Sequence, residues 1–269
     1  MENIKKRIGI VIPCFNEALR IDFYKFGQYL QQHPDLFFCF VNDGSTDQTK
    51  QLLAEFVSKN KRSSMLSYSK NCGKAEAVRL GIVALMKEFS DKDWVGFWDA
   101  DLATPLNEIE QFKNEIAKKS DLEYIFGSRW IHLGSGVERT PIRKLTGFFC
   151  AVLIRAYLQL PLYDSQCGTK LFKISLAKKI FAEKFCTRWL FDVEIFKRVT
   201  MLYSSKDIIQ HCMEKDVASW QDIPGSKLGW KNCFTVLTEL THIAWKYRKA
   251  QNRPLKKQTY LKNTASELN

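Results

Sequence analysis

The chain has 269 residues and a formal net charge of +12, and 45% of its residues are hydrophobic, 13% of the chain being aromatic. That length suits one sizeable α/β domain, and that composition excludes a disordered or low-complexity chain. The basic surplus calls for an anionic partner, but neither a recognised nucleic-acid module nor a zinc-type CxxC pair accompanies it.

The N-terminal half alternates apolar runs with helical periods. Ile8–Ile12 reads as a buried strand, and Leu19, Phe23, Phe26 and Leu30 then recur at helical spacing. Residues 37–41 (FFCFV) form a second strand, and Ser45 and Gln48 have capping-box spacing before a helix carrying Leu52 and Phe56. A weaker strand lies at Met65–Tyr68, followed by a stripe of Ala75, Val78, Ile82, Leu85 and Phe89. Trp94–Trp98 is a fourth strand, Ile109, Phe112 and Ile116 mark a helix, and Leu122–Phe126 is a fifth strand. Strands apolar on both faces need helices on both sides, so the sheet is expected to be mainly parallel. The second half is less regular. Helices are expected over Arg143–Leu160, Trp189–Leu202 and Asn232–Lys249, and a polar loop, Asp164–Phe172, leads into a short strand. The expected organisation is a domain over 1–230, an amphipathic helix over 231–250 and a polar tail over 251–269.

Ligands of open α/β sheets bind beyond the carboxyl ends of the strands, so chemistry is sought in those loops. The fourth strand ends in Asp99-Ala100-Asp101, two carboxylates able to share a hard cation with phosphate oxygens and water. The second ends in Asn42-Asp43-Gly44-Ser45-Thr46-Asp47 and the first in Pro13-Cys14-Phe15-Asn16-Glu17. In the third loop, Gly73-Lys74 at a helix start suits an anion but lacks the rest of a P-loop. Gly127-Ser128-Arg129 offers a guanidinium for bidentate contact with phosphate. Each motif alone also reads as a capped turn, a solvated side chain or a surface ion pair.

In combination and in order, IPCFNE, VNDGSTDQT, NCGKAEAVRLG, WDADLATP, FGSRW, DSQCGTKLF and RWLFDVEI resemble the inverting family 2 glycosyltransferases. Within that family they are most similar to the dolichyl-phosphate or polyprenyl-phosphate glucosyl- and mannosyltransferases. The resemblance spans Ile8 to Leu228. It implies a GT-A, Rossmann-like three-layer sandwich and a divalent cofactor, Mg2+ or Mn2+. It further implies that Pro13, Asn16, Glu17 and Asp43 line the nucleoside pocket with support from Lys74. Asp99 would face the ribose and, with Asp101, the metal. Arg129 would sit beside phosphate, and Asp164, Gln166 and Gly168 would shape the sugar pocket. Asp192 and Glu194 would face the reaction centre.

DSQCGTKLF and FDVEI look closer to UDP-glucose than to GDP-mannose members. The implied reaction moves a hexose from a nucleotide sugar to a polyprenyl phosphate with inversion, with Arg139, Arg143 and Lys144 as acceptor-binding cations. A soluble or protein hydroxyl acceptor is the alternative, for which Asp192 or Glu194 would serve as base; a nucleotidyltransferase is another. Neither a secretory signal nor a transmembrane segment is read, and most of the eight cysteines sit in apolar runs as reduced thiols. The expected location is cytoplasmic, at the cytosolic face of a membrane, where the basic, aromatic stretch around Phe148 and Phe149 and the helix carrying Trp245 and Tyr247 would make peripheral contact.

Overall fold

The computed structural model describes residues 6–91, 93–129, 152–221 and 232–248. In chain order the elements are β1 (Ile8–Cys14), α1 (Phe23–Gln32), β2 (Leu36–Asp43), α2 (Thr49–Lys59), β3 (Ser63–Tyr68), α3 (Lys74–Leu85), β4 (Trp94–Phe97), α4 (Glu108–Lys118) and β5 (Tyr124–Ser128). A helical segment at 152–158 (α5) precedes β6 (Lys170–Lys173), α6 (Ile174–Ile180), α7 (Phe191–Leu202), α8 (Ser205–His211), β7 (Cys212–Asp216) and α9 (Asn232–Arg248).

The seven strands form one sheet in the order β3-β2-β1-β4-β6-β5-β7. All pairings are parallel except those of β6, which is antiparallel to both β4 and β5. Reversing β6 has a consequence for function. Its amino end, where Lys170 is registered with Phe97, lies at the same sheet edge as the carboxyl ends of the other strands.

Strand side chains alternate between two cores. Ile8, Ile10 and Ile12, with Phe38, Phe40 and Trp94, pack with Phe26 and Leu30 of α1, Leu53 and Phe56 of α2 and Ile109 and Phe112 of α4. Val11, Cys39, Val41, Val95 and Phe97 face the opposite way, onto α3, α6 and α7. This is the expected three-layer sandwich with a mainly parallel sheet. Val236, Ile243 and Tyr247 of α9 are buried in that second core, so this helix packs on the domain.

Local details differ from the sequence reading. The capping box of Ser45 and Gln48 does not form: α2 begins at Thr49, whose N–H donates to Asp47 Oδ1 at 2.9 Å. Leu19 is fully exposed, and α1 begins after Asp22, whose carboxylate caps Lys25 N–H at 3.1 Å. Strand β7, half-exposed and rich in charge, has no counterpart in the sequence reading. Of the cysteines, Cys14, Cys39 and Cys167 are buried free thiols, whereas Cys72 is exposed. Among the described residues no helix is long and apolar enough to cross a membrane.

Candidate active site

The loops after β1 and β2 are latched together. Asn16 adopts a left-handed backbone (φ 54°). Its amide N–H donates to Ser45 Oγ at 3.0 Å and its side-chain oxygen accepts from Thr46 N–H at 2.9 Å. Glu17 N–H donates to Thr49 Oγ1 at 2.8 Å. The loop after β3 is tied in by Asp43, whose two oxygens accept Cys72 N–H at 2.7 Å and Gly73 N–H at 2.9 Å. Gly44 (φ 68°) lets these loops touch, since a Cβ there would stand 2.6 Å from Asn71 N. Asn16 and Asp43 therefore hold the backbone of these loops in place. Pro13 closes β1, half-buried, in register with Val41.

The carboxylates at the end of β4 each carry a cation. Lys74 Nζ lies 2.5 Å from Asp99 Oδ1, and Arg20 Nη2 lies 2.7 Å from Asp101 Oδ2. Asp101 Oδ1 also accepts Ala103 N–H at 3.1 Å. Burial first, then the Asp99 charge, raises the pKa of Asp101 above the usual carboxylate value. Burial works against the Lys74 charge, but Asp99, Asp192 and Asp101 outweigh it and raise its pKa. Lys74 therefore stays charged among three carboxylates.

The loop before β6 closes on this cluster from the side. A Cβ added to Gly168 would lie 1.8 Å from Asp99 Oδ2, so only hydrogen fits there. Two residues on, Lys170 is fully buried, and its ammonium donates to Cys167 O at 2.6 Å and Ser165 O at 3.1 Å. The same Nζ lies 2.8 Å from Asp192 Oδ1 at the start of α7. Burial raises the pKa of Asp192, with Lys170 and Lys74 pulling the other way. The amino end of α7 is itself capped from α9: Glu239 accepts the N–H groups of Arg188, Trp189 and Leu190 at 3.1, 3.1 and 2.7 Å. Arg188 then reaches Asn71 Oδ1 at 2.8 Å, joining α7 to the loop after β3.

At the end of β5, Arg129 grips Asp164 bidentately, Nε to Oδ2 at 2.6 Å and Nη2 to Oδ1 at 2.9 Å. Burial opposes both charges, but the pair outweighs it, so Arg129 is raised and Asp164 lowered. Asp164 Oδ1 also takes Gln166 N–H at 3.0 Å, while Gln166 Nε2 is buried without a partner among the described residues. Arg129 thus shapes the loop that bears Gln166 and Gly168.

Glu194 does not join this cluster. Two residues along a helix turn a side chain to nearly the opposite face. Glu194 is fully buried against Arg198 at 2.9 Å, Tyr247 Oη at 2.7 Å, Lys246 at 3.1 Å and Cys186 N–H at 2.8 Å. Burial raises its pKa, but these partners outweigh it and hold the carboxyl below the usual range. Its expected place at the reaction centre is corrected to a clamp between α7 and α9. Arg139, Arg143 and Lys144, with Phe148 and Phe149, lie outside the described residues. Arg20 and Lys170 are site residues that the motif reading passed over, although both stand inside quoted motifs or beside them.

Residues 9–181 match the profile of glycosyl transferase family 2. This chain belongs to that family. A dolichyl-phosphate beta-glucosyltransferase of Trichomonas vaginalis is 30% identical over 256 residues, covering 90% of this chain and 74% of that protein. The Dictyostelium discoideum enzyme of the same name is 28% identical over 257 residues, with 89% and 74% covered. The Homo sapiens enzyme is 28% identical over 239 residues, with 83% and 70% covered. Among solved structures, glucosyl-3-phosphoglycerate synthase of Mycobacterium tuberculosis superposes with a TM-score of 0.62 at 14% identity, covering 90% of this chain and 80% of that one. Its complex with Mn2+, UDP-glucose and phosphoglyceric acid gives 0.61 at 16% identity, with 89% and 80% covered. The family 2 chain therefore has the GT-A fold of those structures.

Proposed function

We propose that this family 2 transferase moves glucose from UDP-glucose to dolichyl phosphate, inverting the anomeric centre, at the cytosolic face of a membrane. The observation that carries the donor chemistry is the Asp99–Asp101 pair, set with Lys74 and Arg20 at the edge where the strand loops converge. The acceptor class rests on the relatives, which carry the name dolichyl-phosphate beta-glucosyltransferase.

The Asp99–Asp101 pair fits a hard divalent ion. It offers carboxylate oxygens, each now neutralised by a side-chain cation, and the Asp101 side chain is 22% exposed, which leaves access for water and diphosphate oxygens. Bound Mg2+ or Mn2+ would supply positive charge to the diphosphate as it leaves. Lys74, kept charged by three carboxylates, adds a fixed cation to the same locus. Asp43 and Asn16 hold the nucleoside wall in place. Gly168 sets the distance between the sugar-side loop and Asp99.

A phosphate acceptor, with a second pKa near 6 as in phosphate monoesters, arrives as an anion and needs no base. That agrees with the state of the two acidic candidates. Asp192 is ion-paired to Lys170 and acts by position, its charge helping to keep Lys74 protonated. Arg139, Arg143 and Lys144 are assigned the acceptor phosphate from their place in the sequence. Turnover of UDP-glucose and GDP-mannose, compared with the same polyprenyl phosphate, tests the donor. A preference for UDP-glucose is expected, and a preference for GDP-mannose contradicts the reading.

A further inference from the structure

Arg20 sits directly on one oxygen of a proposed metal ligand. Its Nη2 lies 2.7 Å from Asp101 Oδ2, and its Nε lies 3.4 Å from Glu17 Oε2. The other Asp101 oxygen is engaged by Ala103 N–H. Arg20 thus sits on an oxygen that a divalent ion bound at Asp101 would also approach. The backbone of Arg20 is fixed by its own N–H bond to Glu17 O at 2.9 Å, with Ile21 N–H on the same carbonyl at 3.0 Å. Its side chain is 23% exposed, so it borders solvent where a ligand would enter. A guanidinium keeps its charge when it loses a partner, and its fork matches phosphate oxygens as well as carboxylate.

We infer that Arg20 is a donor-positioning residue that exchanges partners. In the cation-free enzyme it neutralises Asp101; when a divalent ion takes Asp101, it turns to the diphosphate of the bound nucleotide. This rests on the proposed metal and nucleotide site. The exchange couples the two ligands. The ion meets a carboxylate that is partly occupied, which lowers its apparent affinity by the fraction of Asp101 that is free. The nucleotide gains a cation that the metal has released. Metal alone should bind weakly, and metal with nucleotide should bind well.

The test uses the full chain and needs no turnover. Mn2+ binding is followed by electron paramagnetic resonance without nucleotide, and UDP binding by calorimetry in saturating Mn2+. Wild type is compared with R20Q, R20K and D101N, all checked for unchanged melting. R20Q should bind Mn2+ alone more tightly, by roughly three- to tenfold as expected for a partly exposed charge-assisted pair. It should bind UDP with Mn2+ about tenfold more weakly, and R20K should recover part of both changes. A merely structural role for Arg20 would not tighten metal binding. Unchanged or weaker Mn2+ binding by R20Q, with D101N losing it, overturns the exchange and leaves the metal site standing. Wild-type Mn2+ affinity in D101N overturns the metal site, and the exchange with it.

Discussion

Replacing Gly168 by Ala adds one methyl group in the place where the sugar-side loop meets Asp99. The added carbon would lie 1.8 Å from Asp99 Oδ2, 2.4 Å from its Cγ and 2.9 Å from its Oδ1. Ordinary contact is near 3.5 Å, so the carboxylate or the loop must retreat by roughly 1.5 Å. The Asp99 carboxylate is the movable end of a side chain, so the stability cost should fall at the lower end of the overpacking range, about 1 kcal/mol. For a domain of this size that lowers the melting temperature by about 2–4 °C. The effect on chemistry should be far larger. A displacement of that size breaks the 2.5 Å contact of Asp99 with Lys74 and takes a metal-side carboxylate out of line, for which a loss of roughly a hundredfold in turnover is expected. Thermal melting and steady-state turnover of G168A, measured on one preparation, separate the two effects. Turnover within about threefold of wild type refutes the placement of Gly168 against a working Asp99.

Glu194→Gln should behave the opposite way, losing about 3 kcal/mol of stability, as expected for a broken buried ion-pair network, while turnover per folded molecule stays within about threefold. Its carboxyl is held below the usual value by Arg198, Tyr247 and Lys246 against the opposing effect of burial; the sign therefore gives stability that is present above the ordinary pKa and lost as pH falls through the folded one. The melting difference between wild type and E194Q should accordingly shrink in acid, and a difference that grows in acid would reverse the assignment. Asp101→Asn should keep its fold but lose most turnover and the metal dependence of UDP binding; equal UDP affinity in Mn2+ and in EDTA for the wild type would remove the metal from the account. Association with anionic liposomes should fall steeply as salt rises, each basic residue contributing about 1 kcal/mol at most, with Trp245, 75% exposed on α9, as a contact. Protein that stays off anionic liposomes at low salt would contradict membrane contact.

The fold was largely legible because β1, β2 and β4 are apolar on both faces, which leaves helices on both sides as the way to bury them. The reversal of β6 was not legible, since KLFK carries the same pattern in either direction and only pairing decides it. Strand β7 was missed because its CMEKD segment is half-exposed and gives no clean alternation. The site's cation partners were harder still. Arg20 and Lys170 meet Asp101 and Asp192 across 81 and 22 positions of sequence, and charge pairing at that separation leaves no periodic trace. Asp192 and Glu194 looked equivalent in FDVEI, yet helical geometry points them to different environments, one to Lys170 and the other to Arg198 and Tyr247.

The acceptor is tested most directly by incubating the full chain with UDP-glucose, Mn2+ and a polyprenyl phosphate, then identifying the product by mass spectrometry and by NMR of the anomeric centre. A glucosyl phosphate linked to the lipid in the β configuration is the expected result. Free glucose, or transfer to a soluble hydroxyl such as that of phosphoglyceric acid with the lipid untouched, would contradict it.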